Sequence, residues 1–251
     1  MNTCYNPFSL DGKTILITGA SSGIGQATAI ESSKLGANLI ITGRNESRLN
    51  ETLSQLKPGN HVAISSDLCN ADDLKELTTQ LPSLDGVVLC AGINETIPVQ
   101  FCSPKKFQKI FETNFFSTVE LVRLIIKTKK VNNGGSVVAI SSAGGNFAIN
   151  FGNGIYGSAK SALSTWCKFL AQELALKKIR VNAICPGMVK TPLIESGAIS
   201  AEQLEQDMIK YPLKRFGEPS EIAWACIYFL SDASKWVTGT DFLIDGGYDL
   251  R

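Results

Sequence analysis

Short runs of apolar residues alternate with longer stretches of helical periodicity along almost the whole chain. Seven runs predict buried strands, because each is nearly continuous in apolar residues and is bounded by residues typical of turns. They are KTILITG, NLIITG, HVAISS, DGVVLCAG, GSVVAISS, IRVNAICPG and TDFLIDGG. Helical patterns fall between them at about 24–35, 46–56, 71–80, 104–127, 156–177 and 220–231. This order predicts repeated strand–helix–strand units.

The same alternation predicts the fold class. Strands that are apolar throughout are typical of a parallel sheet covered on both faces. We therefore expect an α/β fold: a single doubly wound Rossmann domain over residues 1–251, with an about seven-stranded parallel sheet and helices on both faces. Residues 191–214 interrupt the rhythm, with Pro192 and Pro212 near the ends. They are predicted to be a substrate lid at the carboxyl ends of the strands, or else a packed pair of surface helices.

Composition and charge narrow the classes of partner. The chain has 251 residues with 24 basic and 23 acidic side chains, so no overall field favours nucleic acid or an anionic membrane. The first residues lack a secretory pattern, and no uncharged stretch is apolar enough for a membrane helix. Seven cysteines, without a CxxC pair and mostly in apolar runs, favour a reducing, cytoplasmic setting. One histidine and no acidic or thiol cluster predict no protein-built metal site.

The segment LITGASSGIGQATAI combines a strand, a glycine-rich turn and the start of a helix. Gly19, Gly23 and Gly25 allow a tight turn in which backbone N–H groups approach a pyrophosphate, and the helix N-terminus adds partial positive charge. Ser21 and Ser22 can add hydroxyl donors. The turn follows a strand and opens a helix, which is the context that this motif requires, so dinucleotide binding is predicted.

The end of the second predicted strand, ITGRNE, bears on which dinucleotide binds. A carboxylate there would grip a free ribose 2′-hydroxyl, but Gly43 is followed by Arg44 and Asn45. Arg44 brings positive charge to the place where a 2′-phosphate would lie. NADP(H) is therefore favoured over NAD(H), unless Arg44 only stacks over adenine or caps a surface helix.

The pentapeptide YGSAK places Tyr156 and Lys160 four residues apart at the head of a predicted helix. This spacing puts both side chains on one helix face. By itself it fits either an acid–base pair or two unrelated side chains. A phenol with a pKa of about 10 acts as an acid–base group at neutral pH only if that pKa falls, and a neighbouring ammonium would lower it.

Together these motifs resemble the short-chain dehydrogenase/reductase family, and the resemblance runs from about Leu10 to Gly247. TGASSGIG is similar to the cofactor turn of the family, and YGSAK to its Tyr-x-x-x-Lys motif. Further matches follow in the same order: Asp67 in SSDL, CAG at 90–92, Asn114 in FETNFFS, ISS at 140–142, CPGMVKT at 185–191 and DGG at 245–247. The resemblance implies an oxidoreductase that interconverts a ketone and a secondary alcohol by hydride transfer.

The resemblance also implies a catalytic set, which consists of Asn114, Ser142, Tyr156 and Lys160. Tyr156 would transfer the proton, and Lys160 would tune it while holding the nicotinamide ribose. Ser142 would donate to the substrate oxygen. It lies one residue farther from Tyr156 than is usual in the family, which indicates an insertion in AGGNFAINFGNGI and leaves Ser141 as the alternative. Asn114 would orient a water next to Lys160, or else be a satisfied buried amide.

The resemblance further implies which residues contact the cofactor. They are Gly19, Ser21, Ser22, Gly23, Ile24, Gly25, Arg44, Asn45, Asp67, Leu68, Cys90, Ala91, Gly92, Tyr156, Lys160, Pro186, Gly187, Val189 and Thr191. Asp67 would hold the adenine. Cys90 stands where the family usually has Asn, a change that we expect to affect stability more than chemistry, and nothing nearby in the sequence would make its thiol a thiolate.

The substrate is left open as a small-molecule carbonyl or alcohol. Asn94, Asn146, Asn150 and Asn153 make the predicted pocket walls rich in amides, which suits a hydroxylated substrate, although Asn is also an ordinary loop residue. A 3-oxoacyl-acyl-carrier-protein reductase is the closest alternative, and Gln172, where that branch often has Arg, opposes it. A non-catalytic dinucleotide-binding scaffold or sensor is the alternative from another class. The family also implies a homotetramer or homodimer.

Overall fold

The computed structural model describes residues 5–192 and 201–250 and contains one seven-stranded sheet. The strands are β1 (Thr14–Thr18), β2 (Asn38–Gly43), β3 (Val62–Ser65), β4 (Leu84–Leu89), β5 (Val131–Ile140), β6 (Arg180–Pro186) and β7 (Asp241–Ile244). All neighbours pair in parallel, in the order β3-β2-β1-β4-β5-β6-β7. Every predicted strand is present, and the predicted α/β fold is confirmed.

The six predicted helical segments are present, and one further helix over 201–209 lies within the segment predicted to be a lid or a packed pair of surface helices. The helices are α1 (Gly23–Lys34), α2 (Glu46–Ser54), α3 (Ala71–Gln80), α4 (Pro104–Phe111), α5 (Ser117–Lys127), α6 (Gly154–Leu174), α7 (Ala201–Ile209) and α8 (Pro219–Leu230). The single helix predicted over 104–127 is wrong in one respect, because a π-helical segment, Glu112–Phe116, separates α4 from α5. That segment contains Asn114.

Two apolar clusters cover the two faces of the sheet. Leu16 of β1 and Val87 of β4 belong to a cluster with buried residues of α3, α5 and α6. The alternate residues Ile17 and Val88 belong to a second cluster with α1, α2 and α8. Because successive strand residues point to opposite faces, an apolar strand supplies both clusters at once. The doubly wound arrangement follows from this burial on both faces.

Local signals in the sequence fix where the helices begin. Asn45 and Asn70 cap α2 and α3, where their side chains accept hydrogen bonds from backbone N–H groups of the first turn. Ser103 caps α4 ahead of a proline at the first helical position. α8 begins with a capping box between Glu218 and Glu221. These caps end the loops that leave the carboxyl edge of the sheet.

The strand order places a crevice next to β1. Strands β2 and β4 both pair with β1, so successive connections leave in opposite directions at this point, and open α/β sheets bind ligands there. Of the predicted lid over 191–214, residues 193–200 lie outside the described residues. The later part is anchored, because the Tyr211 hydroxyl accepts a 3.0 Å hydrogen bond from the Met188 N–H.

Neither a membrane span nor a metal cluster is found in the described part of the chain. No helix within residues 5–192 and 201–250 is long and apolar enough to cross a membrane. In the same ranges, no three His, Cys, Asp or Glu side chains are grouped so that they could hold a metal ion.

Candidate active site

The glycine turn between β1 and α1 is packed so tightly that it excludes side chains. A Cβ on Gly25 would lie 2.4 Å from the Gly19 carbonyl oxygen, and a Cβ on Gly19 would lie 2.9 Å from the main chain of Ala91. Ser22 precedes α1 and makes no side-chain cap hydrogen bond. The first N–H groups of a helix lack intrahelical partners, so this uncapped N-terminus fits a phosphate group.

The CAG segment after β4 is held against that turn by a threonine. The Thr18 hydroxyl accepts hydrogen bonds from the N–H groups of Cys90 at 3.0 Å and Ala91 at 3.2 Å. Burial raises the pKa of the Cys90 thiol to about 11, although the nearby charge of Lys160 opposes the rise. A thiol with this pKa is protonated at neutral pH, so Cys90 is not a nucleophile.

Two neighbouring strand ends carry the residues predicted to bind the adenosine part of a dinucleotide. Arg44 directly follows β2 and is exposed, and Asn45 uses its side chain to cap α2. The Ser66 N–H donates to the Gly43 oxygen at 3.0 Å, which aligns the end of β3 with the end of β2. Asp67 follows there, and its carboxylate accepts a 3.0 Å hydrogen bond from the Cys69 N–H. Arg44 and Asp67 therefore flank the same edge of the sheet.

The segment after β6 lies against the glycine turn from the other side. Gly187 continues the pairing of β6 with β7, because its N–H donates to the Ile244 oxygen at 2.8 Å. Val189 is buried, and a Cβ on Gly23 would lie 3.1 Å from the Thr191 methyl group. Thr191 is thus next to the phosphate-binding turn, as its predicted cofactor contact requires.

Ser142 and Tyr156 come together at the carboxyl end of β5. The Ser142 hydroxyl accepts a 3.0 Å hydrogen bond from the Gly144 N–H. Burial raises the pKa of the Tyr156 phenol to about 12, and a hydrogen bond with Ser142 opposes this rise. The predicted fall in this pKa is therefore not seen, because desolvation of the phenolate outweighs the hydrogen bond with Ser142.

Lys160 lies next to Tyr156, one turn farther along α6, with its ammonium inside the protein. The residue is 4% exposed, and its Nζ donates a 2.8 Å hydrogen bond to the Ile140 oxygen. Its Nζ lies 5.9 Å from the centroid of the Tyr156 ring. Burial lowers the pKa of Lys160 to about 8, while neighbouring cysteine side chains oppose the shift. The lysine is therefore placed between the tyrosine and the end of β5.

Asn114 is fully buried in the π-helical segment. Its Oδ1 accepts from the Ile93 N–H and its Nδ2 donates to the Ile93 oxygen, both at 2.9 Å. A Cβ on Gly92 would lie 2.7 Å from the Asn114 Oδ1 and 3.4 Å from the Lys160 Nζ. Both polar groups therefore lie on the face of Gly92 from which a side chain would project, and π segments are frequent at functional sites.

Ser141 and Ser142 differ sharply in what they contact. Ser141 is 2% exposed, and its hydroxyl donates to the Lys160 main-chain oxygen at 2.9 Å. The Ser141 Oγ also accepts hydrogen bonds, from the Ser164 hydroxyl at 2.7 Å and from the Asn146 Nδ2 at 3.2 Å. All the hydrogen-bonding capacity of Ser141 is thus used inside the protein, whereas Ser142 contacts the tyrosine.

Two residues have roles that sequence reasoning missed. Asn146, expected in a pocket wall, instead donates into the buried network around Ser141, and no local signal in the sequence separates it from its neighbours. Tyr248 follows DGG, and its hydroxyl donates a 2.7 Å hydrogen bond to the Asn150 Oδ1. Its ring lies 4.8 Å from the ring of Tyr211. An aromatic residue directly after a matched motif is the one local signal that could have pointed to it.

Known proteins are similar to this chain in sequence over almost its whole length. The sequence profile of a family described as Enoyl-(Acyl carrier protein) reductase matches residues 19–249. A tropinone reductase homolog from Arabidopsis thaliana is 33% identical, covering 97% of this chain and 95% of its own. A 3-oxoacyl-[acyl-carrier-protein] reductase from Rickettsia felis is 34% identical, covering 95% and 97%.

A solved structure gives the same result in three dimensions. A 7α-hydroxysteroid dehydrogenase complexed with NADH and 7-oxo glycochenodeoxycholic acid matches with a TM-score of 0.89 and 30% identity, covering 97% of this chain and 98% of that one. The matched sequence and fold define an oxidoreductase of the Rossmann type. The chain belongs to the short-chain dehydrogenase/reductase family, whose members are NAD(P)-dependent dehydrogenases and reductases acting on CH–OH or carbonyl groups.

Proposed function

We propose that this protein interconverts a ketone and a secondary alcohol with NADP(H), and that Tyr156 is the acid–base group. The observation that carries the proposal is the convergence of Ser142, Tyr156 and Lys160 at the end of β5, beside the glycine turn. When bound, NADP(H) would give a hydride to the carbonyl carbon in reduction and would take it from the carbinol carbon in oxidation. Tyr156 gives its phenolic proton to the carbonyl oxygen in reduction and takes it back in oxidation.

The neighbours of Tyr156 prepare it for this proton transfer. Ser142 holds the substrate oxygen next to the phenol through a hydrogen bond that strengthens as negative charge develops. Lys160 stabilises a phenolate by its positive charge and has the reach to hold the ribose hydroxyls. Asn114 fixes the segment at Gly92 and keeps an N–H and a lone pair available for a water beside Lys160.

NADP(H) rather than NAD(H) is proposed because of Arg44. This exposed guanidinium follows β2 beside the glycine turn, and no carboxylate follows Gly43. Arg pairs with phosphate through two parallel hydrogen bonds, which adds affinity for a 2′-phosphate. The related hydroxysteroid dehydrogenase is complexed with NADH, so proteins of this fold differ in their preference for NADPH or NADH. The residue directly after β2, which is Arg44 here, is where such a preference can be set.

The direct test is oxidation of NADPH over a panel of ketones by the purified protein and its Tyr156→Phe variant. We expect turnover with at least one ketone, and loss of turnover in the variant with little change in cofactor affinity. A variant that retains turnover would exclude Tyr156 as the acid–base group. Absence of turnover by both proteins would favour a dinucleotide-binding scaffold or sensor.

A 3-oxoacyl-acyl-carrier-protein reductase is the second candidate, and the similarity to the enzyme from Rickettsia felis favours it. Docking an acidic carrier requires exposed basic groups near the pocket. Lys129 is exposed, whereas Lys130 uses its ammonium to donate to the Leu81 oxygen, and Gln172 is neutral. Turnover that requires the carrier protein, and fails with the free ketone, would decide for this candidate.

Assembly and compartment are part of the proposal. Exposed apolar side chains remain on α6, α8 and β7, among them Phe169, Trp224 and Phe242. Exposed aromatic residues of this kind are enriched at interfaces, so we propose a homotetramer or homodimer, testable by light scattering. The six cysteines among the described residues are free thiols, which fits the cytoplasm.

A further inference from the structure

The four amides of the loops around Tyr156 fall into two groups. Asn146 donates to the buried network around Ser141, and Asn150 accepts from Tyr248. By contrast, the Oδ1 atoms of Asn94 and Asn153 are buried and have no hydrogen-bond partner among the described residues. Two of the amides are therefore explained by the fold itself, and two are not.

Both residues lie close along the chain to residues of the candidate active site. Asn153 directly precedes α6, and the Gly157 N–H donates to its main-chain oxygen at 2.7 Å, so it stands one helical turn before Tyr156. Asn94 follows Ile93, which Asn114 holds beside Gly92 and Lys160. The two loops that carry the amides also touch each other, because the Ile97 N–H donates to the Gly152 oxygen at 2.7 Å.

An unpaired buried amide oxygen is costly unless a ligand pairs with it. Burying an acceptor without a partner costs about 1–3 kcal/mol. A hydroxyl can rotate toward a partner, but an amide oxygen only accepts and needs a donor brought to it. Asn153 does not even serve as a side-chain cap for α6. Asn94 and Asn153 therefore each bring to the loops around Tyr156 an acceptor that no hydrogen bond among the described residues uses.

We propose that Asn94 and Asn153 accept hydrogen bonds from donor groups of the substrate, so that the substrate is a hydroxylated ketone rather than a purely hydrocarbon one. This inference rests on the proposed function and specifies its substrate class. A site built around acceptors rejects an analogue that lacks the donor, because its oxygens then stay unpaired. The two residues are specificity determinants, while Tyr156 and Ser142 serve the reacting carbonyl.

The test compares isosteric ketones that differ by one donor. The pairs are 1-hydroxy-2-butanone with 3-pentanone, 4-hydroxy-2-butanone with 2-pentanone, and 2-hydroxycyclohexanone with 2-methylcyclohexanone. For each pair the ratio of the two kcat/KM values is measured in the natural protein, in Asn94→Leu and in Asn153→Leu. The intrinsic reactivity of each ketone cancels when the ratio of a variant is divided by that of the natural protein. Asn60→Ala, which changes an exposed loop amide, is the control.

We expect each leucine to lower the preference for at least one hydroxylated ketone about 5- to 10-fold, the effect of one neutral hydrogen bond. Activity toward the matched hydrocarbon ketone should be kept or rise, and Asn60→Ala should leave all ratios unchanged. Equal loss for both members of every pair would overturn the inference. So would an increase in the KM of the cofactor alone, because the amides would then serve the cofactor.

A second measurement does not need turnover. Leucine removes an unpaired buried acceptor, which is neutral or stabilising, so neither variant should have a lower Tm than the natural protein. A clear fall in Tm would mean that the amide has a partner inside the protein, and would overturn the inference. Binding of 1,3-butanediol and of 2-pentanol to Tyr156→Phe loaded with NADP+ gives the same comparison at equilibrium. If no ketone is reduced, the proposed function fails, and the binding preference for the diol decides the inference alone.

Discussion

Asn114 and Ile93 exchange two hydrogen bonds of 2.9 Å between the side-chain amide and the main chain. The chain at Ile93 has just left β4 and has no strand partner there, so the amide provides the pairing that a neighbouring strand would otherwise provide. The π-helical segment brings Asn114 to this place. A Cβ on Gly92 would lie 3.4 Å from the Lys160 Nζ, so this pair of bonds fixes the main chain that passes next to the ammonium.

Replacing Asn114 should affect both stability and turnover. Asn114→Ala leaves the N–H and oxygen of Ile93 unpaired, and we expect the free energy of unfolding to fall by about 1–3 kcal/mol. The segment at Gly92 then moves relative to Lys160, so kcat should fall as well. Urea unfolding followed by circular dichroism, together with kcat for a ketone, measures both effects. The exposed amide variant Asn60→Ala should change neither, and an Asn114→Ala protein with unchanged stability and turnover would contradict the role given to this pair.

How far the sequence predicts this molecule depends on whether a signal is local. The seven strands and the helices were predictable, because burial on both faces and capping residues such as Asn70 leave local patterns. Tyr156, Lys160 and the glycine turn were predictable because their chemistry requires particular residue types at a fixed spacing in the sequence. The π segment at Asn114 and the network around Asn146 were not, since both depend on contacts between residues that are far apart in the sequence.

The two adjacent serines should separate into one that serves turnover and one that serves stability. Ser142→Ala removes the donor to the reacting oxygen, and the loss of such a donor costs about 100- to 1,000-fold in kcat. Ser141→Ala leaves the Lys160 oxygen, Ser164 and Asn146 without their shared partner, so it should lower the free energy of unfolding by about 1–3 kcal/mol. Measuring kcat and urea unfolding for both variants tests this. The opposite ranking in kcat would assign the catalytic role to Ser141.

The pKa of Tyr156 predicts different pH profiles for the two directions of the reaction. Burial raises this pKa to about 12, above the ordinary value of 10.0, so the phenol is protonated at neutral pH. Reduction uses that proton and starts from the correct form, whereas oxidation requires the phenolate. The kcat/KM for alcohol oxidation should therefore rise with pH, by up to about tenfold per unit below the pKa that applies in the complex with cofactor.

Over the same pH range ketone reduction should stay level or fall. Both profiles can be measured between about pH 6 and about pH 10 at saturating cofactor. In the natural protein the hydrogen bond with Ser142 lowers the pKa of Tyr156. Ser142→Ala removes this bond, so the rise in the oxidation rate should move to higher pH while its slope stays the same. An oxidation rate that does not depend on pH would contradict proton removal by Tyr156 as the pH-dependent step.

Arg44 should decide between the two nicotinamide cofactors. A hydrogen bond between charged partners contributes about 1.5–3 kcal/mol, so Arg44→Asp should raise the KM for NADPH by about 10- to 150-fold, since 1.4 kcal/mol corresponds to a factor of ten. The new carboxylate stands where it can accept from a free 2′-hydroxyl, and NADH should become the better cofactor. Lys57→Asp is the charge-matched control, because Lys57 lies before β3, at the opposite edge of the sheet from Arg44.

The comparison with Lys57 separates contact from overall charge. If the effect of Arg44→Asp came from the field of the whole protein, both variants would weaken NADPH binding alike, and the loss would shrink as salt is added. A direct contact with the 2′-phosphate predicts that only Arg44→Asp changes the ratio of the two cofactor affinities. Equal ratios in the natural protein and in Arg44→Asp would show that Arg44 only stacks over adenine or lies free at the surface.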